Sequence, residues 1–296
     1  IGTAAVSGNT YSWSPTTGLN NASIAQPTAS PTATTTYTLT VNGICTDEVT
    51  VTVDHTAPTA DAGSNVTLTC TTTSATIGTV AISGNTYSWS PSTGLDNASV
   101  AQPTATPTVN TNYTVTVTGS NGCTATDVVT VTLDKVVPTA DAGSNVTLTC
   151  TTTSAMIGTV AISGNTYSWS PSTGLDNASI AQPTATPTVN TNYTVTVTGS
   201  NGCTATDVVS VTLDKVAPTA DAGNNVTLTC TTTSAMIGTS AISGNTYSWS
   251  PSTGLDNASI AQPTATPTVN TNYTVTVTGS NGCTATDVVT VTLDKV

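Results

Sequence analysis

Three copies of the phrase Pro-Thr-Ala-Asp-Ala-Gly begin at Pro58, Pro138 and Pro218, 80 residues apart, and this period constrains the fold more than any other feature. A second phrase, Gly-Asn-Thr-Tyr-Ser-Trp-Ser-Pro, begins at Gly8, Gly84, Gly164 and Gly244. A fixed internal period marks one folding unit copied along the chain. It overrides the two domains that a length of 296 residues would suggest. The expected organisation is a partial first repeat at 1–57, then complete repeats at 58–137, 138–217 and 218–296. Ile1-Gly2-Thr3 matches Ile77-Gly78-Thr79, so the counterpart of 65–76, the first strand, is missing ahead of residue 1. The chain reads as a window on a longer array.

Within a repeat the period of the side chains is two. Tyr113-Thr-Val-Thr-Val117 and Val129-Thr-Val-Thr-Leu133 alternate apolar and hydroxyl residues, as does the run 65–70, which is the pattern of half-buried strands. Ser120-Asn121-Gly122 joins two such runs as a hairpin turn. Gly84-Asn85 and Pro91-Ser-Thr-Gly94 mark further turns. About seven short strands per repeat, with no helical period, predict an all-β fold: a tandem array of immunoglobulin-like antiparallel β-sandwiches. The proline-rich run at 102–107 belongs at an edge or in a loop, because proline cannot donate to a ladder. Aromatic residues make up only 4% of the chain. Trp89, Trp169 and Trp249, with Tyr113, Tyr193 and Tyr273, are therefore the expected core. Such a core is small for 80 residues, and a covalent staple is expected with it.

Composition removes several functional classes. Fifteen acidic and three basic residues leave a formal charge of −12, so no cationic surface exists for nucleic acid. No apolar run approaches the roughly 20 residues that a membrane-spanning helix needs, and no signal or lipidation motif is visible. Trypsin would find only Lys135, Lys215 and Lys295.

The phrases Ala-Asp-Ala-Gly, Leu-Thr-Cys, Tyr-Ser-Trp-Ser-Pro-Ser-Thr-Gly-Leu, Ala-Gln-Pro-Thr-Ala-Thr-Pro-Thr and Asn-Tyr-Thr-Val-Thr-Val-Thr-Gly-Ser-Asn-Gly-Cys recur in this order. Together they resemble the tandem immunoglobulin-like or PKD-like repeats of secreted Bacteroidota surface proteins, among them adhesins exported by the type IX route. The Trp-Asp-Phe-Gly-Asp-Gly core of true PKD domains is absent, and Tyr-Ser-Trp-Ser-Pro-Ser-Thr-Gly stands in its place. The resemblance implies a sandwich fold and a surface location, and no particular ligand.

Each complete repeat holds one cysteine after Leu-Thr (Cys70, Cys150, Cys230) and one after Asn-Gly (Cys123, Cys203, Cys283). In a secreted protein these read as structural disulfides. No Cys-x-x-Cys or clustered histidine supports a metal site, and no base supports a nucleophilic thiol. Pairing within a repeat, Cys70 with Cys123, is the simplest arrangement. In an immunoglobulin-like layout, however, the two cysteines lie at opposite poles, about 20 Å apart along strands of six to eight residues. A disulfide needs Cα atoms within about 7 Å. The distance limit favours the alternative in which consecutive repeats are strapped, Cys70 to Cys203 and Cys150 to Cys283. Cys45, Cys123 and Cys230 would then pair outside the chain.

The remaining candidates are weaker. Asp134 with Asp141, and Asp214 with Asp221, bracket two junctions and could hold Ca²⁺ with backbone carbonyls, although the Asp-x-Asp-x-Asp spacing is missing. A solvated linker with turn-capping aspartates is the competing reading, and no other cofactor is expected. His55 reads as an exposed linker residue. No serine or threonine lies in a nucleophile motif. Threonine is about a quarter of each repeat. Rows such as Thr114, Thr116 and Thr118 suit the outer face of a strand, and strand twist spoils a flat ice-binding array. Asn65, Asn97 and Asn112 open Asn-x-Ser/Thr triplets that this composition produces by chance.

The expected function is structural and non-enzymatic: the repeat region of an extracellular filament or cell-surface adhesin stalk, acting as a spacer or polymer. Neighbouring copies of the same chain are the expected partners, with surface glycans as a further class. The main alternative is an array whose repeats bind glycans or cells, with Trp13, Trp89, Trp169 and Trp249 exposed as platforms. A third reading makes the repeats spacers of a larger secreted enzyme.

Overall fold

The computed structural model describes residues 1–294; Lys295, the third trypsin site, lies outside the described residues. The chain divides into two compact units, Ile1–Lys135 and the residues from Val136 onward. In the first unit, β1 (Tyr11–Ser14), β2 (Thr35–Val41) and β3 (Cys45–Val51) form an antiparallel sheet. The second repeat adds β4 (Val66–Leu68), β5 (Ala75–Thr76), β6 (Thr86–Ser90), β7 (Thr104–Ala105), β8 (Thr111–Thr118) and β9 (Thr124–Leu133). Its four-stranded sheet runs β4-β9-β8-β6, and the two-stranded sheet β5-β7 covers one face.

The second unit contains the same arrangement twice. Strands β10 (Val146–Leu148), β11 (Ala155–Met156), β12 (Thr166–Ser170), β13 (Thr184–Ala185), β14 (Thr191–Thr198) and β15 (Thr204–Leu213) build the third repeat. Strands β16 (Val226–Leu228), β17 (Ala235–Met236), β18 (Thr246–Ser250), β19 (Thr264–Ala265), β20 (Thr271–Thr278) and β21 (Thr284–Leu293) build the fourth. No helix occurs among the described residues. The fold is a series of all-β immunoglobulin-like sandwiches.

Alternation explains the layers. Along β8, Tyr113, Val115 and Val117 are buried, and Thr114, Thr116 and Thr118 turn to the other face. Val129 and Val131 of β9 join them, with Trp89, Ile77, Leu68 and Ala105, in one cluster. Equivalent clusters surround Trp169 and Tyr193, and Trp249 and Tyr273. The polar ends of the aromatic side chains find backbone acceptors. Trp89 Nε1 donates to Val100 O at 2.9 Å, and Tyr113 Oη to Thr93 O at 2.8 Å. These bonds keep burial of the large rings free of unpaired donors. Trp13 and Tyr37 repeat the arrangement in the first repeat, with 3% and 0% exposure.

Two local features depart from the sequence reading. Each complete repeat has six strands rather than about seven. Between β6 and β7 the chain makes only an isolated bridge, Leu95 to Ala105. Asp96 Oδ1 there accepts from Asn97 N and Thr104 N, at 2.7 and 2.8 Å, and adds to the two backbone bonds that flank the bridge, Asp96 N to Thr104 O at 3.1 Å and Thr106 N to Gly94 O at 2.6 Å. Second, β4 pairs parallel to β9, Val66 opposite Val131. Alternation reports which face a residue takes and carries no information on strand direction. The proline-rich run lies where expected, at an edge: β7 occupies its centre, and Pro103 and Pro107 are buried beside it.

The segment before β4 is fastened to the last strand by side chains. Asp127 Oδ2 accepts from Ala62 N at 2.8 Å, and Asn65 Oδ1 from Thr130 N at 2.8 Å. The backbone N–H of Ala62 and then that of Val128 hold the Asp127 carboxyl below its usual pKa. Asp207 and Asp287 are lowered in the same way by Ala142 and Ala222. A lowered folded-state pKa contributes stability that is complete above the unfolded value and lost as pH falls through the folded one. The melting temperature should therefore decline below about pH 4. A variant with Asp127, Asp207 and Asp287 all replaced by Asn should show a shallower decline. Identical pH profiles for the two proteins would contradict this role.

Candidate functional site: the disulfide joint between repeats

The second unit shows how one repeat meets the next. On the third repeat the chain leaves β10 into Thr149-Cys150-Thr151-Thr152. A threonine hydroxyl can also turn back on nearby N–H groups and close a turn. Thr149 Oγ1 accepts from Thr151 N at 3.3 Å and from Thr152 N at 3.0 Å, and Thr149 N donates to Thr152 O at 2.8 Å. The loop is thereby closed on itself, with Cys150 exposed at its tip.

On the fourth repeat the facing element is the turn from β20 to β21. Gly279 N donates to Cys283 O and Gly282 N to Gly279 O, both at 2.9 Å. Asn281 Oδ1 accepts from Cys283 N at 3.0 Å. The Asn281 amide then reaches the linker that joins the two repeats, donating to Asp214 Oδ1 at 2.8 Å and Val216 O at 2.9 Å. The turn is thus held by its own backbone on one side and by the linker on the other.

Loop and turn meet covalently. Cys150 and Cys283 form a disulfide with a Cα–Cα distance of 5.0 Å across a sequence separation of 133. Cys150 N also donates to Asn281 O at 3.2 Å. Cys283 is 2% exposed. Gly282 has φ +72°, which favours glycine, and a Cβ there would overlap Thr151 Cγ2, so the Thr151 side chain would have to move aside. Gly122 adopts φ +81° in the corresponding turn of the second repeat, with nothing within 4 Å of its Cβ position. Alanine at either position meets the same backbone penalty, and only Gly282→Ala adds the overlap. Overpacking of this kind costs about 1–3 kcal/mol. In a thiol redox buffer, Gly282→Ala should therefore lower the equilibrium constant for the Cys150–Cys283 bond by roughly tenfold, and Gly122→Ala should leave it unchanged. Equal effects would contradict the close approach.

The other sequence candidates fall as follows. Cys70 and Cys203 are each engaged in a disulfide as well; Cys45, Cys123 and Cys230 are free thiols. Asp141 and Asp221 each accept from the N–H two residues ahead, Gly143 and Gly223, at 2.9 Å, as turn caps. Asp214 serves Asn281, and Asp134 has its own interactions. No group of three or more His, Cys, Asp or Glu assembles among the described residues. His55 is exposed, with Nε2 at 3.3 Å from Thr32 O. Trp13, Trp89, Trp169 and Trp249 are each 3% exposed, which removes them as stacking platforms for sugars. A shallow cleft recurs beside Pro91, Gly94, Pro107 and Val109 and their counterparts, about 270, 350 and 480 Å³ in successive repeats, with no aromatic lining. Sequence reasoning missed Thr149 and Asn281 as parts of the joint, and placed Asp214 at the junction without its partner Asn281. The threonine run after Cys150 was the available signal for the loop.

No protein-family model matches the chain, and no curated protein matches it in sequence. Solved structures match the fold. A Ca²⁺-stabilized adhesin that helps an Antarctic bacterium bind ice is similar with a TM-score of 0.50 and 13% identity, over 97% of this chain and 90% of that one. Three Ig domains of titin match at 0.38 and 10%, over 78% of this chain and 95% of that one. Mouse cadherin-23 repeats match at 0.35 and 14%, over 79% and 96%. The class the fold defines is a tandem immunoglobulin-like β-sandwich protein.

Proposed function

We propose that the chain is a structural repeat region of an extracellular filament or cell-surface adhesin stalk, a disulfide-strapped spacer with repeats at 58–137, 138–217 and 218–296 after a partial one at 1–57. The observation that carries this reading is the Cys150–Cys283 bond between successive repeats. A bond within a domain stabilises that domain, whereas a bond between domains serves an assembly that must stay connected. Disulfides persist in oxidising compartments, so the joint belongs outside the cytoplasm. Neighbouring repeats are near-copies, which suits a spacer, because a specific ligand needs only one site. The wording of the repeats supports an origin among secreted Bacteroidota surface proteins of the type IX route. No enzymatic role enters this reading: the aspartates described above serve turns and strand fastening. Exposed Val160 and Ile162, with counterparts Val80 and Ile82 80 residues earlier, support lateral contact with neighbouring copies.

Electron microscopy of the purified chain, with a glycan and cell-binding panel alongside, tests the proposal. Thin beaded particles with no saturable binding are expected. Saturable binding that free glycan competes away would replace the spacer with the adhesin reading.

A further inference from the structure

The Cys150–Cys283 bond encloses a stretch of chain that includes the whole linker between the third and fourth repeats. Lys215 sits in that linker, exposed, and Asp214 and Val216 on either side of it accept from the Asn281 amide. Arginine is absent, so Lys215 is the one place between Val136 and Asp294 where a trypsin-like protease can cut. We infer that the strap is a second covalent path around this linker, through which the array keeps its continuity and carries tension when the linker is cut.

The argument is one of connectivity. Tension entering the second unit at Val136 runs through β10 to Cys150, crosses the sulfur bridge to Cys283 and leaves along β21. Everything from Thr151 to Gly282 lies in a side loop and bears no load. That loop contains most of two hydrophobic clusters and the linker. A separation of 133 residues, at about 3.3–3.6 Å per residue, removes roughly 450 Å of chain from what a pull can extend. Hydrolysis of the Lys215–Val216 peptide bond adds one water and opens the loop without dividing the molecule. The joint's geometry suits this duty. The bridge stands at the tip of a self-closed loop and at the base of a hairpin turn, so both ends are anchored in strands. The inference concerns how the chain survives cutting and pulling, and it holds whatever the array carries at its end.

The test uses the full chain with Lys135→Gln and Lys295→Gln, so that Lys215 is the one trypsin site left. Free thiols are blocked by alkylation, and digestion is carried to completion in urea, with completeness read from a reduced sample. Without reductant the protein should run as one species that has gained a single water. With reductant it should separate into 1–215 and the remainder. In magnetic tweezers the nicked, oxidised chain should hold load and part when reductant is added. Cys150→Ser should separate without reductant, and Cys230→Ser should behave like the parent. Separation of the parent before reduction would overturn the inference while leaving the spacer reading to its own test. A bond within the fourth repeat, Cys230 to Cys283, would give that result.

Discussion

Replacing Trp169 with alanine is expected to unfold the repeat that contains it. The ring is 3% exposed and packs with Tyr193, Ile157, Val195 and Val209. Gly158 presses its backbone against it: a Cβ added there would stand 2.9 Å from Trp169 Cζ2. Truncation removes the contacts of the largest core side chain, opens a cavity, and strips the Ile180 carbonyl of the Nε1–H donor now 2.9 Å away. Changes of this kind cost about 3–5 kcal/mol. At about 0.05–0.15 kcal/mol per residue, a sandwich of 80 residues holds roughly 4–12 kcal/mol in all. The loss is therefore a large fraction of the repeat's stability. Because each complete repeat has its own cluster, the melting curve of the reduced protein should lose one component and keep the others near their original temperatures. A curve that matches the parent would contradict the placement of Trp169 at the centre of its core.

The second large effect is expected from replacing Cys150 and Cys283 with serine. Closing a loop of 133 residues restrains the unfolded chain by about 5 kcal/mol in the chain-entropy model. Unfolding either repeat alone already frees a closed loop of about half that length, and because the cost grows only with the logarithm of loop length the first repeat to unfold meets most of it, so the bond couples them. In urea, the oxidised parent should lose the third and fourth repeats together at high denaturant. The double serine variant should lose them earlier and in separable steps. Tryptophan fluorescence with Trp169 or Trp249 individually replaced by Phe reports each repeat. Coincident transitions at unchanged midpoints in the parent and the variant would mean that the bond contributes nothing to stability.

Several parts of this structure were legible from residue types alone. The two-residue period of Tyr113–Val117 identified the buried face, and Trp89 and Tyr113 followed as core because few other large apolar side chains exist. The cysteine pairing was approachable through a distance: strands of known rise separate the poles of a sandwich by more than a disulfide can reach. Strand direction was not accessible. Nothing in Val66-Thr67-Leu68 distinguishes a parallel neighbour from an antiparallel one, since both bury Leu68 alike. In place of a seventh strand the chain makes one bridge, Leu95 to Ala105, backed by the Asp96 carboxylate, and alternation does not register a pairing that short. The joint itself depended on a polar side chain, Asn281, reaching a linker 65 residues earlier at Val216, and such long-range polar contacts leave no local pattern.

Disulfide mapping without reduction tests the strapped joint most directly. Cleavage before aspartate leaves Cys150 on peptide 141–175, Cys203 on 176–206, Cys230 on 221–255 and Cys283 on 256–286. Peptides 176–206 and 256–286 are identical in sequence, so an exposed Thr286→Ser change supplies the mass difference that separates them. The joint described above predicts 141–175 linked to the tagged 256–286 peptide. Linkage of 141–175 to the untagged 176–206, or of 221–255 to 256–286, would mean that each repeat closes on itself, and the strap between repeats would not exist.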